Sequence, residues 1–150
     1  MKKTIGLVVS LTIISGVCAG VLAYVDSITK EPIKQTAEKN REAAKKAVLC
    51  GEEGYTAEGT CKDGYGGDIT LMVGFKTDKK TVISYKVLAA AETPGLGMKL
   101  KTPEFADQFK GKDGSSLKVK KDGGEIEAIT SATITSRAVC RAIEDAQKKL

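Results

Sequence analysis

The sequence predicts an α+β domain, a small antiparallel sheet with flanking helices, preceded by one N-terminal transmembrane helix. Three observations lead there. An uncharged run from Thr4 to Val25 opens the chain. Two central segments alternate apolar and polar residues with the period of a strand. The closing segment spaces its apolar residues at helical intervals. A chain of 150 residues, 41% hydrophobic and 29% charged, suits one modest domain plus an appendage.

The composition also excludes function classes. With no histidine, the chain offers no histidine-ligated zinc or haem and no histidine base to activate a hydroxyl. Its four cysteines contain no C-x-x-C pair, which argues against a zinc ribbon or an iron–sulfur site. Neither a metal site nor a catalytic residue is expected. Of the formal charge of +5, Lys2 and Lys3 carry two units ahead of the first acid, Asp26. Beyond them lysines interleave with acids, as in "KEPIKQTAEKNREAAKK". That pattern describes a solvated surface and no nucleic-acid patch.

Residues 1–25 form the predicted anchor. As a helix, Thr4–Val25 is about 33 Å long, against about 30 Å of bilayer hydrocarbon. A cleaved leader ending at Ala23 is the alternative, though such leaders carry a shorter apolar stretch. Lys2 and Lys3 hold the N-terminus in the cytoplasm, so the rest of the chain is expected outside.

Residues 26–49 form a helical linker and the first helix of the domain. That helix is expected over 32–49, after a short break, with Pro32 in its first turn. Ile33, Ala37, Ala44, Ala47 and Val48 make its apolar face, and Glu42 is spaced to pair with Lys46.

The domain proper is expected over 50–150. Residues 50–67, with six glycines, read as a loop. In "DITLMVGF" the residues Ile69, Leu71, Val73 and Phe75 alternate, and in "TVISYKVL" so do Ile83, Tyr85 and Val87. "KTDKK" joins them as a hairpin. Residues 89–101 form a Pro/Gly loop. Thr102 then caps a short helix from Pro103. "SLKVKK" and "EIEAIT" read as two further strands around "DGG". The last helix begins near Thr135 or Ser136. Its apolar stripe is Val139, Ala142, Ile143, Ala146 and Leu150, and Lys148 and Lys149 suit its negative end.

Cys50 and Cys61 flank the glycine-rich loop in a compartment expected to be oxidising. A disulfide between them would contribute roughly 3 kcal/mol, with two free thiols as the alternative. Cys140, beside Val139, is expected to be a small buried residue, and Cys18 to lie in the membrane.

Two stretches carry more chemistry than their elements need. "ETPGLG", Glu92–Gly97, is a turn by composition. Its glycines would also let backbone amides approach a planar or anionic ligand, with Glu92 and Thr93 adding polar contacts. "TSATITS" places hydroxyls at Thr130, Ser131, Thr133, Thr135 and Ser136, whereas a helix cap uses one. The surplus lies just before a helix N-terminus, where free amides favour an anion such as phosphate. The pattern does not name the ligand.

Taken in order, the anchor, "GYGGDITLMVGF", "VLAAAETPGLG" and "EAITSATITSRAV" resemble, over nearly the whole chain, the G subunit of the Rnf ion-translocating oxidoreductase complex. That family is homologous to the C subunit of the sodium-pumping NADH:quinone reductase. The resemblance implies an FMN-binding domain whose FMN is joined through its phosphate to a threonine in a motif like D-x-x-[ST]-G-A-T. A flavin transferase using FAD as donor would make the bond. Here the matching stretch runs from Glu127 to Thr133, which makes Thr133 the implied acceptor. Glu127 stands where the motif usually has Asp, Ser131 where it has Gly, and Ala91 where a longer polar residue is usual. The resemblance further implies that Glu92, Thr93, Gly95, Leu96 and Gly97 lie beside the ring. Thr130, Ser131 and Ala132 would lie by the phosphate, with Tyr65–Gly67 a weaker candidate.

The implied protein is a single-pass electron-transfer subunit of a membrane translocase coupling ferredoxin/NAD redox chemistry to ion transport, with its domain on the extracytoplasmic side. It would not be a complete enzyme alone. Its implied partners are the other subunits, the membrane and the transferase. The C subunit of a sodium pump, a standalone extracytoplasmic flavoprotein and a flavin-free assembly module remain as alternatives.

Overall fold

The computed structural model describes residues 2–150, with side chains from Ile5 onward. Lys2 and Lys3, on which the expected sidedness rests, lie outside the described side chains. The chain separates into two units, Met1–Lys39 and Asn40–Leu150.

From Lys2 onward the first unit is helical, within α1 (Lys2–Leu49). Its apolar side chains from Ile5 to Ile28 are exposed. Among the described residues this is the one helix long and apolar enough to cross a membrane. The expected break before Pro32 does not occur, since Pro32 lies inside the helix. A proline there removes one N–H and leaves the Ile28 carbonyl without a helical donor. That position is about 4 Å along the axis beyond the last apolar residues of the run, where water can take the carbonyl. Glu42 pairs with Lys45 at 2.8 Å instead of with Lys46.

In the second unit three strands form an antiparallel sheet in the order β1 (Gly54–Cys61), β2 (Ile69–Lys76), β3 (Val82–Ala89). Tyr55 pairs with Phe75 and Cys61 with Ile69 across the first ladder, and Val73 with Tyr85 across the second. The two alternating segments are thus β2 and β3, except that a register shift at Ile83 places Val82, not Ile83, in the core with Tyr85. β1 was expected as loop, because its glycines lower strand propensity. One of them has a packing reason. A Cβ on Gly59 would stand 1.8 Å from the Ala142 carbonyl oxygen, so only glycine lets the last helix lie this close to the strand.

That helix, α3 (Thr133–Lys148), packs on β1 and β2 through the stripe read from the sequence. Val139, Ala142, Ile143 and Ala146 are fully buried there against Ile69, Leu71, Val73 and Phe75. It also closes the sheet edge. Asp145 accepts the Thr60 amide at 2.9 Å, and Lys149 donates to the Glu58 carbonyl at 3.1 Å. An exposed edge strand is thereby satisfied by side chains. On the opposite face Met72 packs with Ala44 and Val48 of α1. Ile33, Ala37 and Ala47 of the expected face are exposed.

After β3 the chain runs through a 3₁₀ helix (Gly97–Lys101), α2 (Pro103–Ala106) and a 3₁₀ turn (Asp107–Phe109). Thr102 occupies the N-cap position but does not cap. Its hydroxyl donates to Lys99 O at 2.8 Å. Phe109 packs edge-to-face on both Tyr85 and Phe105.

The two further strands expected from "SLKVKK" and "EIEAIT" do not form. Val119 and Ile126 make one isolated parallel bridge around a 3₁₀ turn, Lys120–Asp122. The apolar spacing is right, and Leu117, Val119, Ile126 and Ile129 are all buried. Backbone pairing stops at that bridge and its turn, and two amides beyond it find side chains instead of a ladder. Glu127 N donates to Gln108 Oε1 and Ile129 N to Ser136 Oγ. With those donors satisfied, no fourth or fifth strand is needed.

The expected Cys50–Cys61 disulfide is also absent, and both are free thiols. β1 separates them. Its extended length alone is about 23 Å, whereas bridged cysteines need Cα atoms within about 7 Å. Cys140 is buried as expected, and burial pushes its thiol up to about 12.

Candidate functional site

The site is built where three segments meet at the start of α3. Helix α3 begins at Thr133, two residues earlier than the hydroxyl pattern suggested, with Ala132 in the N-cap position and no side-chain cap. Neither expected capping hydroxyl caps. Thr135 donates to Glu92 Oε2 at 2.8 Å, and Ser136 donates to Ala132 O at 3.0 Å while accepting the Ile129 amide at 2.9 Å. Thr135 and Ser136 are fully buried, so their hydroxyls fix the helix start to its surroundings. The first helical hydrogen bond runs from Ser136 N to Ala132 O. The amides of 133–135 therefore precede the ladder and stay available to an anion.

Glu92 links the walls. It is only 6% exposed. Oε2 accepts the Thr135 hydroxyl, and Oε1 accepts the Gly66 amide at 3.3 Å. One carboxylate thus ties the Glu92–Gly97 loop to α3 and to the turn before β2. The sequence suggested a polar ligand contact and did not show this tie between segments. Gly97 sits against it, where a Cβ would stand 2.4 Å from Glu92 Oε2.

Between these walls lies a cavity of about 550 Å³. Glu92, Thr93, Leu96 and Gly97 line one side, and Ser131, Ala132, Thr133 and Thr135 another, with Tyr65 and Ile134 also facing it. Seven of the nine ligand residues expected from the resemblance therefore come together. Gly95 does not line the cavity. It forms the left-handed turn of the loop, with φ of 77°. Thr130 points elsewhere, into a separate groove with Lys99 and Gln108.

Ile134 was not anticipated, although it breaks the α3 stripe. It is 49% exposed while Thr135 and Ser136 beside it are buried. Lys121 was not anticipated either. Its ammonium donates to Thr133 Oγ1 at 3.3 Å. Nothing in "VKKDGG" distinguishes it from its neighbours, since the contact depends on how the 3₁₀ turn folds back on α3.

Ser131 holds φ of 62°, one of three non-glycine residues with positive φ among those described. That is the region glycine occupies freely and other L-residues occupy at a cost.

The residues present suit a flavin mononucleotide. Leu96, Ile134 and Tyr65 offer apolar surface to a flat ring. Thr133, the free amides and Lys121 gather where a phosphate would lie.

Sequence comparison agrees with this chemistry. A family model described as the FMN-binding domain matches residues 64–148. The G subunit of the ion-translocating oxidoreductase complex of Methanosarcina acetivorans is 30% identical, over 97% of this chain and 93% of that protein. The chain belongs to this G-subunit family and carries its FMN-binding domain. The Shewanella baltica relative of the same name is 44% identical, over 59% of this chain and 45% of its own. In Clostridium ljungdahlii, the G subunit of a proton-translocating ferredoxin:NAD(+) oxidoreductase complex is 41% identical, over 58% and 48%. The chain thus spans less than half the length of these two relatives. Among solved structures, the C subunit of the Na(+)-translocating NADH-quinone reductase of Parabacteroides distasonis aligns with a TM-score of 0.49. It is 27% identical, over 61% of this chain and 51% of that one.

Proposed function

We propose that the protein is a membrane-anchored electron-transfer subunit of an ion-translocating redox complex, carrying FMN joined through its phosphate to Thr133. The observation that carries this reading is the position of Thr133. The half-buried residue stands in the wall of the cavity, at the N-terminus of α3, its hydroxyl within reach of a lysine and across from the Glu92–Gly97 loop. Family membership supplies the cofactor class.

Attachment balances without any oxidant. The Thr133 oxygen attacks the flavin-side phosphorus of FAD, the O–P bond to the adenosine phosphate breaks, and AMP leaves with the electron pair. The hydroxyl proton goes to a base on the transferase, which explains how a chain without histidine is modified. A single phosphodiester then keeps the cofactor at high local concentration outside the cytoplasm, where a free flavin would be lost.

FMN supplies the redox chemistry when bound. The chain's part is to hold and shield it. Leu96 and Ile134 would offer the ring their exposed apolar surface, and Glu92 ties the walls together. Residues 1–25 would anchor the protein in the membrane by a single span, with 26–49 as helical lead-in and 50–150 as the extracytoplasmic domain. Other subunits of the complex would be its redox partners.

The test is co-expression of the full chain with a flavin transferase, followed by denaturing electrophoresis under ultraviolet light. A fluorescent band that vanishes in Thr133→Ala is expected. A band that stays dark in the wild type, or bright in Thr133→Ala, overturns the covalent reading.

A further inference from the structure

We infer that Lys121 is the positioning cation for the phosphate at Thr133, for the incoming donor as well as for the finished diester. The inference rests on the reading of Thr133 as the attachment point.

The 3₁₀ turn Lys120–Asp122 presents its basic residues differently. Lys120 is paired with Glu127. Asp122 takes Arg137 of α3 in a two-pronged clamp, Nε to Oδ2 and a terminal nitrogen to Oδ1, both at 2.6 Å. Such a fork fixes orientation as well as distance. The clamp holds the turn one helical turn beyond Thr133. Lys121, between the two paired residues, has no carboxylate ion-pair partner among the described residues, and its ammonium reaches Thr133 Oγ1 at 3.3 Å.

A cation held on a hydroxyl has little to do while that hydroxyl is neutral. Once a phosphate occupies the oxygen, the arrangement gains its charge partner. The ammonium then stands beside the diester from the turn, while the free amides of 133–135 point at it from the helix. During attachment the same ammonium would neutralise charge on the flavin-side phosphate of the donor, which is where negative charge must be tolerated for the threonine oxygen to approach. The clamp and the neighbouring pair would keep Lys121 from being drawn off by Asp122 or Glu127.

The experiment measures the initial rate of fluorescent-band formation on purified full-length protein, with FAD and a flavin transferase, at low and high salt. Lys121→Gln is expected to slow the reaction on the order of tenfold at low salt, with the gap narrowing as salt screens the charge. Lys121→Arg should stay within about twofold of wild type, because it restores the charge. Lys118→Gln, a nearby exposed lysine outside the site, should match wild type. Lys121→Gln reacting at the wild-type rate overturns the inference. So does slowing shared equally with Lys118→Gln, which would mean a general charge requirement for docking the transferase. A wild-type protein that never becomes fluorescent is a different failure, that of the attachment reading itself.

Discussion

Ser131 shows what a single backbone angle costs. Its φ of 62° places a Cβ where only glycine is at ease, and the motif it resembles carries glycine there. The residue lines the cavity next to the proposed attachment point, so its conformation sets the approach to Thr133. Ser131→Gly is expected to raise stability by about 1 kcal/mol, read as a higher urea midpoint with unchanged slope. Ser131→Val, whose branched side chain tolerates this region least, should lower the midpoint instead. An unchanged midpoint in Ser131→Gly would mean that the strain is relieved elsewhere.

At the scale of elements, one contact braces a wall of the site and another shapes the hairpin at the other end of β2. The Tyr85 hydroxyl donates to Leu100 O at 2.6 Å in a buried setting, pinning the 3₁₀ helix that follows the Glu92–Gly97 loop to β3. Tyr85→Phe leaves that carbonyl buried without a donor, so a loss of about 1–3 kcal/mol is expected. Hydrogen exchange should rise first in residues 97–101, and uniform change across the domain would argue against a local pin. The β2–β3 turn is held by Asp78, which accepts the amides of Lys80 and Thr81 and the Thr81 hydroxyl. Those bonds, the hydroxyl first, hold its carboxyl down to about 2 against an ordinary 3.8. The turn's contribution is therefore complete above pH 4 and fades as pH falls through 2. Comparing acid unfolding of the wild type with Asp78→Asn should show the wild type losing its margin over that window. Curves that stay parallel would contradict the assignment.

The same elements show what was legible in the sequence. β2 and α3 were readable because each carries an unbroken apolar period; β3 was readable from its Tyr85 and Val87, although a register shift at Ile83 puts Val82 in the core with Tyr85 instead. β1 was not, because Gly59 serves α3, and the helix that requires it lies far away in sequence. The segment 117–130 has a strand's apolar spacing, yet Gln108 and Ser136 take the amides of Glu127 and Ile129, and such side-chain pairing leaves no periodic trace. Within the site, the hydroxyl cluster and "ETPGLG" marked both walls. Their division of labour did not show. Thr135 and Ser136 serve the fold, Glu92 is a tie between segments, and Lys121 reaches Thr133 from a turn whose Asp122 pairs with Arg137 of α3.

For the whole molecule, the apolar helix and the domain have separate tasks. Residues Ile5–Val25 are exposed and uncharged, which suits lipid. The cavity belongs wholly to the unit Asn40–Leu150. A version starting at Asn40 is therefore expected to fold as a soluble domain and to accept flavin, while the full chain partitions with membranes. Fractionation of both forms after co-expression with the transferase checks this. A truncated domain that folds, by circular dichroism, yet stays dark would mean that the first unit takes part in modification.

The most direct test of the central claim is peptide mapping by tandem mass spectrometry of the full chain co-expressed with a flavin transferase. The account predicts an added mass of one FMN less one water, confined to the peptide holding Thr133 and localised by fragmentation to that residue. An unmodified peptide, or flavin on Thr130, Ser131 or Ser136, would contradict it.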